Sequence, residues 1–210
     1  MISAVEALEL LREGNRRFLS DHSASPNAHS LQAHRAELVT GQEPFAIIVG
    51  CSDSRVPAEI IFDQGLGDLF IVRVAGNIVA PTQVGSIELA AEEFGTLLVV
   101  VLGHSGCGAV QATLAELENP EENLSPNLRS IIDRIRPSAE ALLESDPQMN
   151  QKALAQHTVK ANIHASVNQL RQESPTLARL IHDRGLMILG AEYSLETGVV
   201  EFFDDLAGGR

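Results

Sequence analysis

Phe45-Ala46-Ile47-Ile48-Val49-Gly50-Cys51-Ser52-Asp53-Ser54-Arg55 and Leu97-Leu98-Val99-Val100-Val101-Leu102-Gly103-His104-Ser105-Gly106-Cys107-Gly108 are built alike. Each is an apolar run closed by glycine, followed at once by a short polar cluster that carries a cysteine. Runs of this length and β-branched content read as parallel strands buried on both faces. In open α/β sheets, ligands bind beyond the carboxyl ends of such strands. The two tips therefore bring the chain's two cysteines, an imidazole, a carboxylate and a guanidinium toward one place. That combination points first to a metal site.

The pattern on either side supports the same architecture. Ahead of the first run, residues 3–20 mix Val5, Leu8, Leu11 and Phe18 with charges, which predicts a surface or arm helix. Residues 20–30 read as a loop around Pro26, and 30–40 as a short helix stopped by Gly41. Strands are expected over 45–51, 69–75, 96–103 and 186–193. A short helix is expected from Pro57, and others over 82–94, 107–117, 127–143, 149–172 and 175–184. Pro137 predicts a kink or break in the third of these. Gly198 turns the chain into Val199-Val200-Glu201-Phe202-Phe203, an antiparallel edge strand.

Strands alternating with helices imply an α/β fold. The expectation is a mainly parallel central sheet of about four strands, plus an antiparallel edge strand, flanked by helices. One domain spans 1–210, with 1–40 as an N-terminal helical arm that has no strand of its own and could pack on a partner subunit.

Composition excludes several classes. Fifteen basic against 28 acidic side chains leave a formal charge of −13, which repels phosphate backbones and argues against nucleic-acid binding. No apolar stretch reaches the ~20 residues of a membrane span. The first residues lack a basic region followed by an apolar one, so they read as a mature helix and the expected location is the cytoplasm. Two cysteines could form one disulfide, but that would be unusual in such a compartment; metal binding or catalysis is the better use.

Zinc favours tetrahedral thiolate and imidazole ligands, and catalytic sites leave one position open. Cys51, His104 and Cys107 form a Cys2His set, with His104 and Cys107 expected within the first turn of one helix. Asp53 has two options: a fourth ligand that closes the site, or a partner for Arg55 that leaves it open. Two thiolates cancel the metal's charge, so bound water should ionise at higher pH than at a neutral three-histidine site, where its pKa is about 7. A metal-free thiol enzyme, with Cys107 activated at a helix N-terminus, would leave Cys51, Asp53 and Arg55 without a task.

At these residues the sequence resembles the β-class carbonic anhydrases. Cys51 to Arg55 and His104 to Gly108 are similar to the family's two signatures, in order. Val56-Pro57-Ala58-Glu59 and Val72-Arg73-Val74-Ala75-Gly76-Asn77 also resemble family segments. The resemblance runs over roughly residues 4–205. It implies reversible hydration of CO2 to bicarbonate and a proton, through hydroxide on Zn2+ held by Cys51, His104 and Cys107. It implies a catalytic Asp53–Arg55 dyad, with Asp53 as alternative fourth ligand. It assigns Gln42 as a donor to substrate, often across a subunit interface, and Gly108 to the CO2 pocket. It implies a homodimer, often assembled into a tetramer.

Relatives on this fold hydrolyse carbon disulfide or carbonyl sulfide, and a closed structural zinc module is a further alternative. Some bacterial members carry a second, non-catalytic bicarbonate site. Arg73 and Tyr193 resemble two of its members, but Ile48 stands where the third would be Trp. Six histidines lie outside the metal set, and none is assigned as a proton shuttle.

Overall fold

The structure is a computed structural model, and it describes residues 2–20, 38–120 and 123–203. The elements follow in chain order. Helix α1 (Ala4–Leu19) leads to strand β1 (Ala46–Gly50), helix α2 (Ala58–Ile61), strand β2 (Leu69–Arg73), helix α3 (Pro81–Glu93) and strand β3 (Leu98–His104). Helices α4 (Gly108–Glu118), α5 (Pro126–Ser145), α6 (Gln151–Glu173) and α7 (Pro175–Arg184) precede strands β4 (Met187–Tyr193) and β5 (Val200–Phe203). The sheet order is β2-β1-β3-β4-β5. The first four strands are parallel, and β5 pairs antiparallel with β4 at the edge. This is the expected α/β architecture, strand for strand.

Alternation along the central strands divides the core in two. Ile47, Val49, Val99 and Val101 face a cluster completed by α3 through α7. Ala46, Ile48, Val100 and Leu102 face a second cluster covered, among the described residues, by α1 and α2. With both faces covered, β1 and β3 are buried at every position. That is why their sequences read as continuous apolar runs.

The N-terminal helix packs on its own sheet. A capping box starts it: Glu6 N donates to Ser3 Oγ at 3.2 Å, and Ser3 N donates to Glu6 Oε2 at 2.8 Å. Ala4, Ala7, Leu8 and Leu11 form the buried stripe, spaced i, i+3, i+4 and i+7. Val5 lies off that stripe and is 67% exposed, contrary to the expected apolar face. Asn15 then ties three elements: it donates to Ile61 O and Gly198 O and accepts from Val200 N. The helix expected over 30–40 falls largely outside the described residues; Leu38–Thr40 is a 3₁₀ turn.

Pro137 does not break α5, which runs through it. An internal proline costs about 3 kcal/mol, but Ile135 and Ala139 on either side are fully buried against α4 and α6. Their burial, with Ile132, offsets the lost hydrogen bond.

Candidate metal centre

β1 and β3 run side by side with Gly50 opposite Leu102, so the residues just beyond them emerge together. Cys51 follows β1 directly. His104 closes β3, paired with Tyr193 of β4. Cys107 caps the N-terminus of α4. The expectation that His104 and Cys107 share the first turn of a helix is corrected here: strand pairing extends through His104, and Ser105-Gly106 turns the chain between them. Gly106 makes that turn at φ +65°, a conformation that favours glycine.

The two Sγ atoms and an imidazole nitrogen lie within 4.8 Å of one another, and all three residues are buried. A tetrahedral zinc with Zn–S bonds of about 2.3 Å needs sulfurs about 3.8 Å apart, so small side-chain adjustments suffice. His104 Nδ1 lies 3.0 Å from the Ser105 carbonyl, which fixes it as the protonated nitrogen. Its Nε2 is buried with no hydrogen-bond partner. A buried lone pair facing two thiols is what a metal ligand requires, and the trio fits zinc.

Electrostatics agree. The Cys107 thiol donating to Cys51 is the main cause that draws the Cys51 thiol down to about 4, against the opposing effect of burial. His104 and the Gly76 N–H add to the downward shift. That same bond, with burial, holds the second proton on Cys107 well above the thiol range. Burial pulls His104 down, but the Cys51 sulfur, the Ser105 carbonyl and the Asp53 carboxylate together outweigh it and leave the imidazole above its ordinary value. The pair thus ionises once readily, and a dication would drive the second ionisation.

Asp53 belongs to a second set beside the trio. Its Oδ1 accepts from Arg55 N at 3.0 Å and Arg55 Nε at 2.9 Å; its Oδ2 accepts from Arg55 Nη2 at 2.7 Å. The Arg55 clamp holds the Asp53 carboxyl well below the usual carboxylate range. Asp53 Oδ2 still lies only 3.9 Å from His104 Nε2. Arg55 Nη2 also donates to Gly106 O at 3.3 Å, which couples the two loops. Of the two options read for Asp53, this geometry is the pair with Arg55.

Three residues support the trio in a role that the sequence reading did not assign them. Arg73, at the end of β2, donates Nε to Cys51 O at 2.8 Å and Nη2 to Asp53 O at 2.6 Å. It is therefore a brace for the ligand loop, and Ile48 and Tyr193 pack in the second apolar cluster. Gly76 donates its N–H to Cys51 Sγ at 3.3 Å. Asn162 of α6 donates to Gly76 O at 2.8 Å. The signal available for Gly76 was the break after β2; none marked Asn162, a polar residue within a long helix.

Two expected residues stand elsewhere. At Gly108 a Cβ would meet nothing within 4 Å, so the first residue of α4 borders open space. Gln42 lies beyond the opposite end of β1, in a cleft of about 540 Å³ with Phe45, Glu92 and Arg184. β1 alone separates it from Cys51 by roughly 16 Å, so the chain does not bring Gln42 to its own trio. Among the remaining histidines, His164 stacks on Phe203 at 5.2 Å and His157 and His182 are exposed. His22, His29 and His34 lie outside the described residues.

Residues 46–200 match the family model described as carbonic anhydrase. Carbonic anhydrase 2 of Mycobacterium tuberculosis is 40% identical over 194 residues, covering 92% of this chain and 90% of the relative. The carbonic anhydrase of Mycolicibacterium smegmatis is 39% identical over 197 residues, covering 94% and 92%. A tetrameric β-carbonic anhydrase of Sordaria macrospora superposes with a TM-score of 0.75 at 25% identity, over 88% of this chain and 93% of that one. With the buried Cys-His-Cys trio at the tips of β1 and β3, these similarities establish that the chain belongs to the β-class carbonic anhydrases, lyases that hydrate CO2.

Proposed function

We propose that this protein hydrates CO2 reversibly to bicarbonate and a proton, at a zinc ion held by Cys51, His104 and Cys107. The observation that carries the reading is the orphan Nε2 of His104, buried between two thiols, with a clamped carboxylate 3.9 Å away. Zinc, when bound, supplies a Lewis acid that activates water for attack on carbon.

The chain's own residues do the rest. Asp53 accepts a hydrogen bond from the attacking water and orients it. Arg55 holds Asp53 in that role through three donors and keeps the carboxylate from moving in as a fourth ligand. Gly108, without a side chain, leaves room for a small linear substrate beside Cys107. Gln42 acts in trans: at the far end of its own strand, it can donate to substrate only in the site of a second copy, which makes the working unit at least a dimer, with a tetramer as a further assembly. Residues 1–210 act as one domain, with 1–40 as its N-terminal arm. Free, buried thiols suit a reducing, cytoplasmic setting, and no described helix is long and apolar enough to cross a membrane.

The test is the CO2 hydration rate from about pH 6.5 to about pH 9, with zinc content per chain. Two thiolate ligands place the rise of activity above the value of about 7 known for neutral sites. One zinc per chain with hydration activity supports the reading. One zinc with no activity at any pH, together with turnover of carbonyl sulfide or carbon disulfide, would replace it with sulfur-substrate hydrolysis.

A further inference from the structure

Helix α6 supplies no ligand, yet a line of hydrogen bonds runs from it to a ligand atom. Its core-facing side carries Thr158, Asn162 and Ser166, spaced by four residues and all buried. Polar groups on a buried helix face are costly unless paired. Asn162 Nδ2 donates to Gly76 O at 2.8 Å, and Ser166 Oγ donates to Asn77 O at 3.2 Å. Both bonds land on the turn Ala75–Asn77, whose Gly76 N–H points at Cys51 Sγ at 3.3 Å.

The turn needs such holding. Gly76 sits at φ +72° and Asn77 at φ +43°, two successive left-handed residues, the second with a side chain. Such conformations persist only where the surroundings over-determine them. A Cβ at Gly76 would approach Ile135 Cδ1 to 2.7 Å and Ala109 Cβ to 3.0 Å, so the turn is pressed between α4 and α5 with no slack.

We infer that Asn162 and Ser166 are positioning residues for the metal centre: they hold the Ala75–Asn77 turn so that the Gly76 N–H stays on the Cys51 sulfur. An N–H···S bond favours the charged thiolate and draws electron density from it. Without that bond, Cys51 donates more charge and leaves the metal a weaker acid. Partners one bond removed from a ligand tune metals in this way. Arg73 braces the Cys51–Asp53 loop through backbone carbonyls, whereas the α6 line ends on a ligand atom.

The inference rests on the zinc reading, and the experiment separates the two. The full chain is loaded with cobalt(II), and the sulfur-to-cobalt charge-transfer band, zinc affinity by chelator competition and thermal melting are followed. Asn162→Leu keeps the volume and removes the donor. It should shift the band to longer wavelength and weaken zinc binding by about 10–100-fold. Ser166→Ala should shift it the same way by less, and carries the test if Asn162→Leu does not fold. Thr158→Val is the control: it lies one turn earlier on the same buried face, and its hydroxyl has no partner; its band should stay in place. Unmoved bands in folded Asn162→Leu and Ser166→Ala, or an equal shift in Thr158→Val, would overturn the inference. A wild-type chain with no charge-transfer band would overturn the metal reading and this inference with it.

Discussion

At Gly103 the strand that ends in His104 lies close against α6, and replacing it by alanine exposes how tightly they are seated. A Cβ at Gly103 would stand 2.5 Å from Ile163 Cδ1 and 2.6 Å from Ile163 Cγ1. Carbon atoms pack at about 3.5–4.0 Å, so one side must move by about 1 Å or more. Ile163 is fully buried, so its side chain cannot swing out to solvent. Overpacking of this kind costs roughly 1–3 kcal/mol, and with two atoms overlapped the upper half of that range, about 2–3 kcal/mol, is expected. For a chain of this size each kcal/mol lowers Tm by about 2–4 °C, so Gly103→Ala should melt about 4–12 °C below wild type. Because His104 follows directly, zinc affinity should fall with it.

The partner substitution makes the account specific. Ile163→Ala removes both overlapped atoms and alone costs about 2–5 kcal/mol through the cavity it leaves. In Gly103→Ala/Ile163→Ala the new methyl enters that space. The double variant should therefore be more stable than the sum of the singles by at least about 1 kcal/mol, within the range of measured couplings between touching residues. Urea denaturation of the four metal-loaded proteins measures this. Strict additivity, or a Gly103→Ala protein as stable as wild type, would refute the claim that contact with Ile163 sets the position of the strand end.

Asp53→Asn should retain one zinc per chain and lose most hydration activity, because in the proposed mechanism the clamp orients water without being needed to hold metal; zinc loss equal to that of Cys107→Ala in the same metal analysis would contradict this. Gln42→Ala and Cys51→Ala should each be poorly active, yet mixed oligomers of the two should regain activity, since one copy then offers an intact trio and the other an intact glutamine; a mixture no more active than its parts would place Gln42 outside the reaction. Burial holds the Glu192 carboxyl above its ordinary range, and nearby Glu201 adds to this, while Lys160 opposes it. An acid raised in the folded state keeps its proton there after the unfolded chain has lost it. Wild type should therefore lose stability as pH rises from about 4.3, the ordinary glutamate value, into the raised range, and Glu192→Gln should lack that component. Melting curves across this range decide it by whether the two proteins' Tm difference changes with pH.

The parts of this molecule that were legible in its sequence are those where a single physical demand acts on consecutive residues. β1 and β3 must be apolar at every position because both faces are covered, and their glycine-ended runs announce two strand tips side by side. Cys51, His104 and Cys107 could be read as one site because the fold rule for parallel sheets converts strand ends into proximity. Boundaries followed pairing: β3 continues one residue further because His104 finds Tyr193 across the ladder, which nothing in the local sequence reveals. Gln42 shows the same logic in reverse. Nine residues before Cys51, it sits on the far side of a strand, so closeness in sequence meant distance in space.

What stayed hidden was polar structure inside the core. Asn162 and Ser166 lie among Val159, Ile163, Val167 and Leu170 on the buried side of α6, where polar letters blur the apolar period. Their partners are backbone carbonyls of a turn some 86 and 89 residues earlier, and a carbonyl carries no residue signature. Arg73 was singled out only by its resemblance to a bicarbonate-site residue, and its partners are likewise carbonyls, those of Cys51 and Asp53. Ligand atoms advertise themselves by residue type; the groups that aim them act through main-chain atoms common to every residue. The side chains of a candidate metal site can thus be listed from sequence, whereas the hydrogen bonds that reach them are brought into register only by the folded chain.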